Sequence, residues 1–160
     1  MAELDARELA AYIQKKYYEE KQKEISPIKL QKSLYFLFAY WGGNVRKSKM
    51  FPEAVEESFE KFSEYLFDDK IEAWVYGPVV PIVYREENIN KFYNEKMFEG
   101  KAKIKEFIDD LLKELFEVGD FTLVDISHSD NSWKNNFNYD DEFHDNEIDK
   151  ESIIEEYSRK

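Results

Sequence analysis

The stretch Leu34-Tyr35-Phe36-Leu37-Phe38-Ala39-Tyr40-Trp41 is apolar or aromatic at every position, and no other feature narrows the folding of this chain as much. Ser26-Pro27 lies just upstream and reads as a helix N-cap followed by proline at the first helical position. The run therefore belongs to a helix that also holds Ile28 and Leu30. After Ser33 that helix is apolar nearly all the way round, and such a helix is buried on every side. The rest of the chain has to wrap around it, as the single-domain length of 160 residues allows. Gly42-Gly43 is expected to stop it, leaving residues 44–51 as a polar, basic loop.

The remaining apolar pattern is mostly helical. A first helix is expected from Asp5 to Glu20, with Leu9, Ile13 and Tyr17 on one face. Pro52 opens a third, carrying Val55, Phe59, Phe62 and Leu66. Pro81 starts another, carrying Val83, Ile89, Phe92 and Tyr93. The period is clearest over Lys103–Val118, where Ile104, Phe107, Ile108, Leu111, Leu112, Leu115 and Phe116 recur every three or four residues before Gly119 ends the helix. Asp120 caps a short apolar segment, Phe121–Ile126. Asp149 caps a last helix whose inner side holds Ile153, Ile154 and Tyr157. Leu34, Leu37, Leu111 and Leu115 are expected to share one core. Before Gly77-Pro78 the β-branched and aromatic run from Ile71 to Tyr76 reads as an extended segment followed by a turn. The expected fold is mainly α: one compact domain over residues 7–157, with six or seven helices and at most a small β element near residues 70–80.

Composition removes several classes of function. With no cysteine there is no disulfide framework, no Cys-type zinc site and no thiol nucleophile. No apolar stretch is long enough to span a bilayer, and the acidic start Met1-Ala2-Glu3-Leu4-Asp5 lacks the order of a signal peptide. A cytoplasmic protein without membrane association is expected. The net charge of −12 is uneven: residues 1–50 carry +4, whereas residues 120–157 carry −10. That stretch repels phosphate backbones, so direct nucleic-acid binding is not expected. It is either a solvated acidic face or a complement to a basic partner.

Catalytic constellations are missing. Ser127, Ser129, Asp125 and Asp130 neighbour His128 in sequence, but adjacency is not triad geometry, and no G-x-S-x-G frame surrounds a serine. His128, His144, Asp130, Glu142 and Asp145 do not match helical metal-ligand spacing. No Walker or G-x-G-x-x-G pattern occurs. His128 is expected instead to pin a polar turn, with Trp133 covering it. The run Trp74-Val75-Tyr76-Gly77-Pro78-Val79-Val80-Pro81 fits two roles, a packed aromatic turn or a rigid aromatic surface for a protein partner.

Three blocks carry a family resemblance: Ile25-Ser26-Pro27-Ile28-Lys29-Leu30-Gln31-Lys32-Ser33-Leu34-Tyr35-Phe36, then Ile71 to Tyr84 around the A-W-x-Y-G-P-V-V-P string, then Leu123-Val124-Asp125-Ile126-Ser127-His128 followed by Trp133. In this order they resemble the Panacea domain of SocA-like and phage-associated GepA-like antitoxins. The resemblance implies a mainly helical fold and no enzymatic activity, catalytic residue, metal or cofactor. It further implies a protein that neutralises a toxin by direct contact, some relatives acting as adaptors that hand a toxin to a AAA+ protease. The toxin's identity is not implied. Residues 44–65 depart from shorter members as a basic loop and an extra acidic helix, and without an appended DNA-binding domain no promoter binding is expected. The motif and partner-contact residues implied are Lys29, Gln31, Lys32, Tyr35, Trp74, Tyr76, Gly77, Pro78, Val79, His128 and Trp133. A phage or mobile-element inhibitor of host defence, using its acidic surface as a nucleic-acid mimic, is the alternative. It needs carboxylates spaced like phosphates, roughly 6–7 Å apart. A metal or deep cleft at His128 would instead mark a hydrolase or metalloenzyme.

Overall fold

A computed structural model describes residues 1–54, 59, 61–140 and 146–160. The apolar run lies in the middle of α2 (Pro27–Met50), and Leu34, Tyr35, Leu37, Phe38 and Trp41 are fully buried. Ser26 caps this helix by accepting from the Lys29 N–H at 3.0 Å, with Pro27 in the first turn. α1 (Ala6–Lys21) is capped by Asp5, whose carboxylate accepts from the N–H groups of Arg7 and Glu8. α4 (Ala102–Leu115) buries Ile104, Ile108, Leu112 and Leu115. α7 (Lys150–Ser158) starts at the Asp149 cap and buries Ile153, Ile154 and Tyr157.

Gly42-Gly43 does not end α2, and residues 44–50 are its last two turns rather than a loop. The glycines serve the crossing of α7 over α2. A Cβ at Gly43 would lie 2.8 Å from the backbone carbonyl of Tyr157, and one at Gly42 would lie 2.6 Å from Ile154 Cγ1. The local stop signal is overridden because these positions need smallness rather than an exit from the helix. Gly43→Ala is expected to cost about 1–3 kcal/mol through overpacking, measured as a lower urea midpoint. An unchanged midpoint would show that α7 moves aside freely.

Other expectations need correction. The helix expected from Pro52 is a single 3₁₀ turn, Pro52–Ala54; Val55 lies outside the described residues. Phe59, Phe62 and Leu66 are not helical, yet they pack inward: Phe59 and Phe62 meet Trp41 at ring-centre distances of 5.4 and 5.5 Å, and Leu66 is fully buried. The residues around Leu66 are held by backbone bonds from Glu3 and Leu4 to the carbonyls of Tyr65 and Leu66. The helix from Pro81 breaks into α3 (Pro81–Tyr84) and a 3₁₀ turn at Ile89–Phe92, separated by the polar run Arg85-Glu86-Glu87-Asn88. Phe121–Ile126 is not a short segment but the heart of α5 (Asp120–His128). Gly119 occupies its cap position, and Asp120, in the first turn, accepts from Ser26 Oγ instead of capping. Leu34, Leu37 and Leu115 are in the core, whereas Leu111 is only half-buried and Leu112 takes the inward position.

The β element is β1 (Glu72–Trp74) and β2 (Gly77–Val79), an antiparallel hairpin in which Ala73 pairs with Pro78 and Trp74 with Gly77. A strand absent from the sequence reading, β3 (Asn146–Glu147), pairs antiparallel on the other edge of β1, giving the order β2-β1-β3. A short helix α6 (Asn131–Lys134) follows α5. The protein is mainly helical, with one small antiparallel sheet, as expected. No helix among the described residues is long and apolar enough to cross a membrane.

Candidate functional site

The hairpin turns through Val75-Tyr76 and leaves that turn at Gly77, whose φ is +105°. L side chains resist this region, so glycine is the residue for it. Four side chains from three helices then clamp the hairpin backbone. Lys32 Nζ donates to the Pro78 carbonyl at 2.8 Å. The Gln31 amide takes both polar groups of Val80, accepting from its N–H at 2.8 Å and donating to its carbonyl at 3.3 Å. His128, at the end of α5, donates from Nε2 to the Val75 carbonyl at 2.8 Å. Trp133, on α6, donates from Nε1 to the Trp74 carbonyl at 2.8 Å. The His128 and Trp133 rings stack at 4.2 Å, and Phe137 stacks on the far side of Trp133 at 4.8 Å. His128 thus pins the hairpin turn rather than the polar turn expected after it, and Trp133 covers its ring as expected.

The sequence candidates on α2 are struts more than contact residues. Lys29 is buried and donates to the carbonyls of Phe116 and Val118 beyond the end of α4, with Asp120 as its ion-pair partner at 3.6 Å. Tyr35 is buried and donates to Asp130, as does Tyr157, each at 2.5 Å. Lys160 reaches the other oxygen of Asp130 at 3.2 Å. Burial, reinforced by the Asp130 carboxylate, holds the phenols of Tyr35 and Tyr157 well above their usual range. Gly77, Pro78 and Val79 are buried, and Trp74 is half-buried with its Nε1 donating to Glu72. Of the expected contact residues, Tyr76 is the one that stands fully exposed, at 56%.

Around Tyr76 lies an apolar rim that the sequence did not reveal: Val75 next to it, Phe121 against its ring and Tyr84 against Trp74 are exposed. Tyr76 meets Phe121 edge to face at 6.3 Å, and Tyr84 meets Trp74 at 4.9 Å. Exposure of single apolar residues is ordinary, but Val75, Tyr76, Tyr84 and Phe121 on and beside one hairpin make a patch. Sequence pattern cannot find it, because Phe121 reads as part of an apolar segment and nothing local shows which of its residues stay exposed. Between this hairpin and the start of α2 opens a cleft of about 210 Å³, lined by Ile28, Lys32, Trp74, Tyr76, Val79 and Tyr84.

Part of the acidic C-terminal stretch is engaged within the fold. Asp130 is buried. Glu151 and Glu155 pair with Arg46. Glu156 accepts from the N–H groups of Asn131 and Ser132. Glu142, His144 and Asp145 of the cluster considered around His128 lie outside the described residues.

The family described as antitoxin SocA-like, Panacea domain, matches residues 54–134, half of the chain. The matched span holds the hairpin, the rim residues and the His128–Trp133 stack, while α2 beneath them lies outside it. No curated protein and no solved structure matches the chain.

Proposed function

The chain belongs to the SocA-like Panacea domain family, and from that premise we propose that it is an antitoxin-type binding module that neutralises a cognate toxin by direct contact in the cytoplasm, without catalysis of its own. The observation that carries this reading is the exposed apolar rim on a clamped hairpin. Interface energy concentrates in a few large side chains, and Tyr is prominent among them because it supplies area at low entropy cost. Tyr76 and Tyr84 are 56% and 60% exposed and project from a backbone whose carbonyls are already tied down. Such a surface meets a partner without first having to order itself. The nucleic-acid mimic gains no support, since several of the C-terminal carboxylates are spent on internal partners.

Tyr76→Ser and Tyr84→Ser are the informative variants. Both side chains face solvent, so stability should stay within about 0.5 kcal/mol of the parent. Each variant co-expressed with the product of the adjacent open reading frame is expected to lose growth rescue and to fail to co-purify with it. Full rescue by the double variant would place the contact surface elsewhere. If the chain also delivers its toxin to a AAA+ protease, the toxin's half-life falls only when the chain and the protease are both present.

A further inference from the structure

We propose that the cleft beside the hairpin is a binding site for a carboxylate carried on a small apolar or aromatic body, with Lys32 as its counter-ion. This stands whether or not a toxin docks on the rim. Lys32 is 1% exposed, and among the described residues its one hydrogen-bond partner is the Pro78 carbonyl. An ammonium offers three N–H donors, so two remain. No carboxylate pairs with this amine in the described structure, unlike Lys29 one turn earlier, which has Asp120. A lone buried cation is costly and is ordinarily paired. Here burial lowers the basicity of the amine to about 7.

The walls fit the same ligand. Ile28 and Val79 are aliphatic, and Trp74, Tyr76 and Tyr84 bring rings. Gln31 also borders the cleft, with its carbonyl and one of its N–H groups engaged by Val80, and Lys32 is the one cation among the lining residues. About 210 Å³ is below the roughly 300–1,000 Å³ of drug-sized ligand sites, so the cleft suits one group the size of a side chain. Two free N–H donors match the two oxygens of a carboxylate. The fold has already stripped this amine of water, so an arriving anion brings only its own desolvation cost.

The site has a linkage signature. A carboxylate favours the charged amine, so binding above neutral pH draws a proton onto Lys32 and weakens as pH rises. The other titratable groups on the hairpin, on α3 with its C-cap, on α5 and on residues 27–35 of α2 are Glu72, Tyr76, Tyr84, Arg85, Lys29, Tyr35, Asp120, Asp125 and His128. A Lys32 variant separates the contribution of these groups from that of the amine.

The experiment compares 3-phenylpropionate with 3-phenylpropionamide, and the peptide acetyl-Gly-Gly-Phe as free acid and as amide. Calorimetry and the NMR signals of the Trp74 indole and Gly77 amide report binding. At pH 7 an acid is expected to bind at least tenfold tighter than its amide, with proton uptake, and to weaken by up to tenfold per pH unit above that. Binding of the peptide acid alone identifies a chain terminus as the natural source; binding of the free acid identifies a small molecule. In Lys32→Met the acid and amide should bind alike. Equal binding of acid and amide by the parent, an acid preference that survives in Lys32→Met, or no response of Trp74 and Gly77 to either acid would overturn the proposal. The acid–amide comparison in the parent needs no variant, so it decides the matter even if Lys32→Met folds poorly.

Discussion

Between pH 7 and 9.5 the protein is expected to gain roughly 3 kcal/mol of unfolding free energy, and Lys32→Met is expected to abolish that rise. Burial lowers the Lys32 amine to about 7 in the folded chain, against 10.5 for an ordinary lysine. The unfolded chain therefore binds more protons across that interval, and stability climbs with pH at up to about 1.4 kcal/mol per unit. Above about pH 10 the trend reverses. Tyr12, Tyr35 and Tyr157 keep their phenolic protons well beyond the usual range in the fold, so the unfolded chain releases them first. The stability maximum should fall between roughly pH 9 and 10. Methionine keeps the aliphatic bulk but leaves the Pro78 carbonyl unpaired, at about 1–3 kcal/mol. The variant should still be more stable than the parent at pH 7 and nearly flat to pH 9.5. Urea unfolding at half-unit intervals checks both curves, and a flat parent curve would mean that Lys32 is not a desolvated amine.

Gly77→Ala is expected to lower stability by roughly 2–6 kcal/mol, enough to unfold many domains of this size. Two costs combine. The backbone sits at φ +105°, which alanine resists, and a Cβ there would lie 2.4 Å from Ser127 Oγ and 3.0 Å from Lys32 Cε. Both neighbours are fixed: Ser127 Oγ donates to the Val124 carbonyl, and Lys32 holds Pro78. The double variant Gly77→Ala, Ser127→Ala removes the closest clash but not the strained φ, so it should recover part of the loss. Far-ultraviolet circular dichroism and urea melts of both variants test this. A single variant within about 0.5 kcal/mol of the parent would show that the turn has another conformation open to it.

Several elements were legible because their signals are local. Ser26 and Asp149 cap α2 and α7 where a short polar side chain precedes an apolar period, since the bonds they make lie within three residues. The aromatic run before Gly77-Pro78 marked an extended segment and a turn, because turn chemistry requires a glycine where φ is positive; the turn itself falls at Val75-Tyr76, and Gly77-Pro78 belongs to the second strand of a hairpin. The apolar run of α2 required burial on nearly every side whatever the partners were, and of Leu34–Trp41 Tyr40 alone is exposed. The pairing of His128 with Trp133 was readable too, since five residues separate them.

What the tertiary structure alone decided depended on groups distant in sequence. Gly42-Gly43 continues a helix because α7, more than 100 residues later, crosses there. β3 forms because Asn146 and Glu147 reach the free edge of β1, a pairing no local pattern encodes. Lys29, Gln31 and Lys32 were implied as motif and partner-contact residues. They are buried because the hairpin and the end of α4 supply carbonyls that such side chains can satisfy. The apolar rim and the cleft beside Lys32 exist only once α2, α3, α5 and the hairpin stand together, because exposure and cavity shape belong to the packing of whole elements rather than to any stretch of sequence.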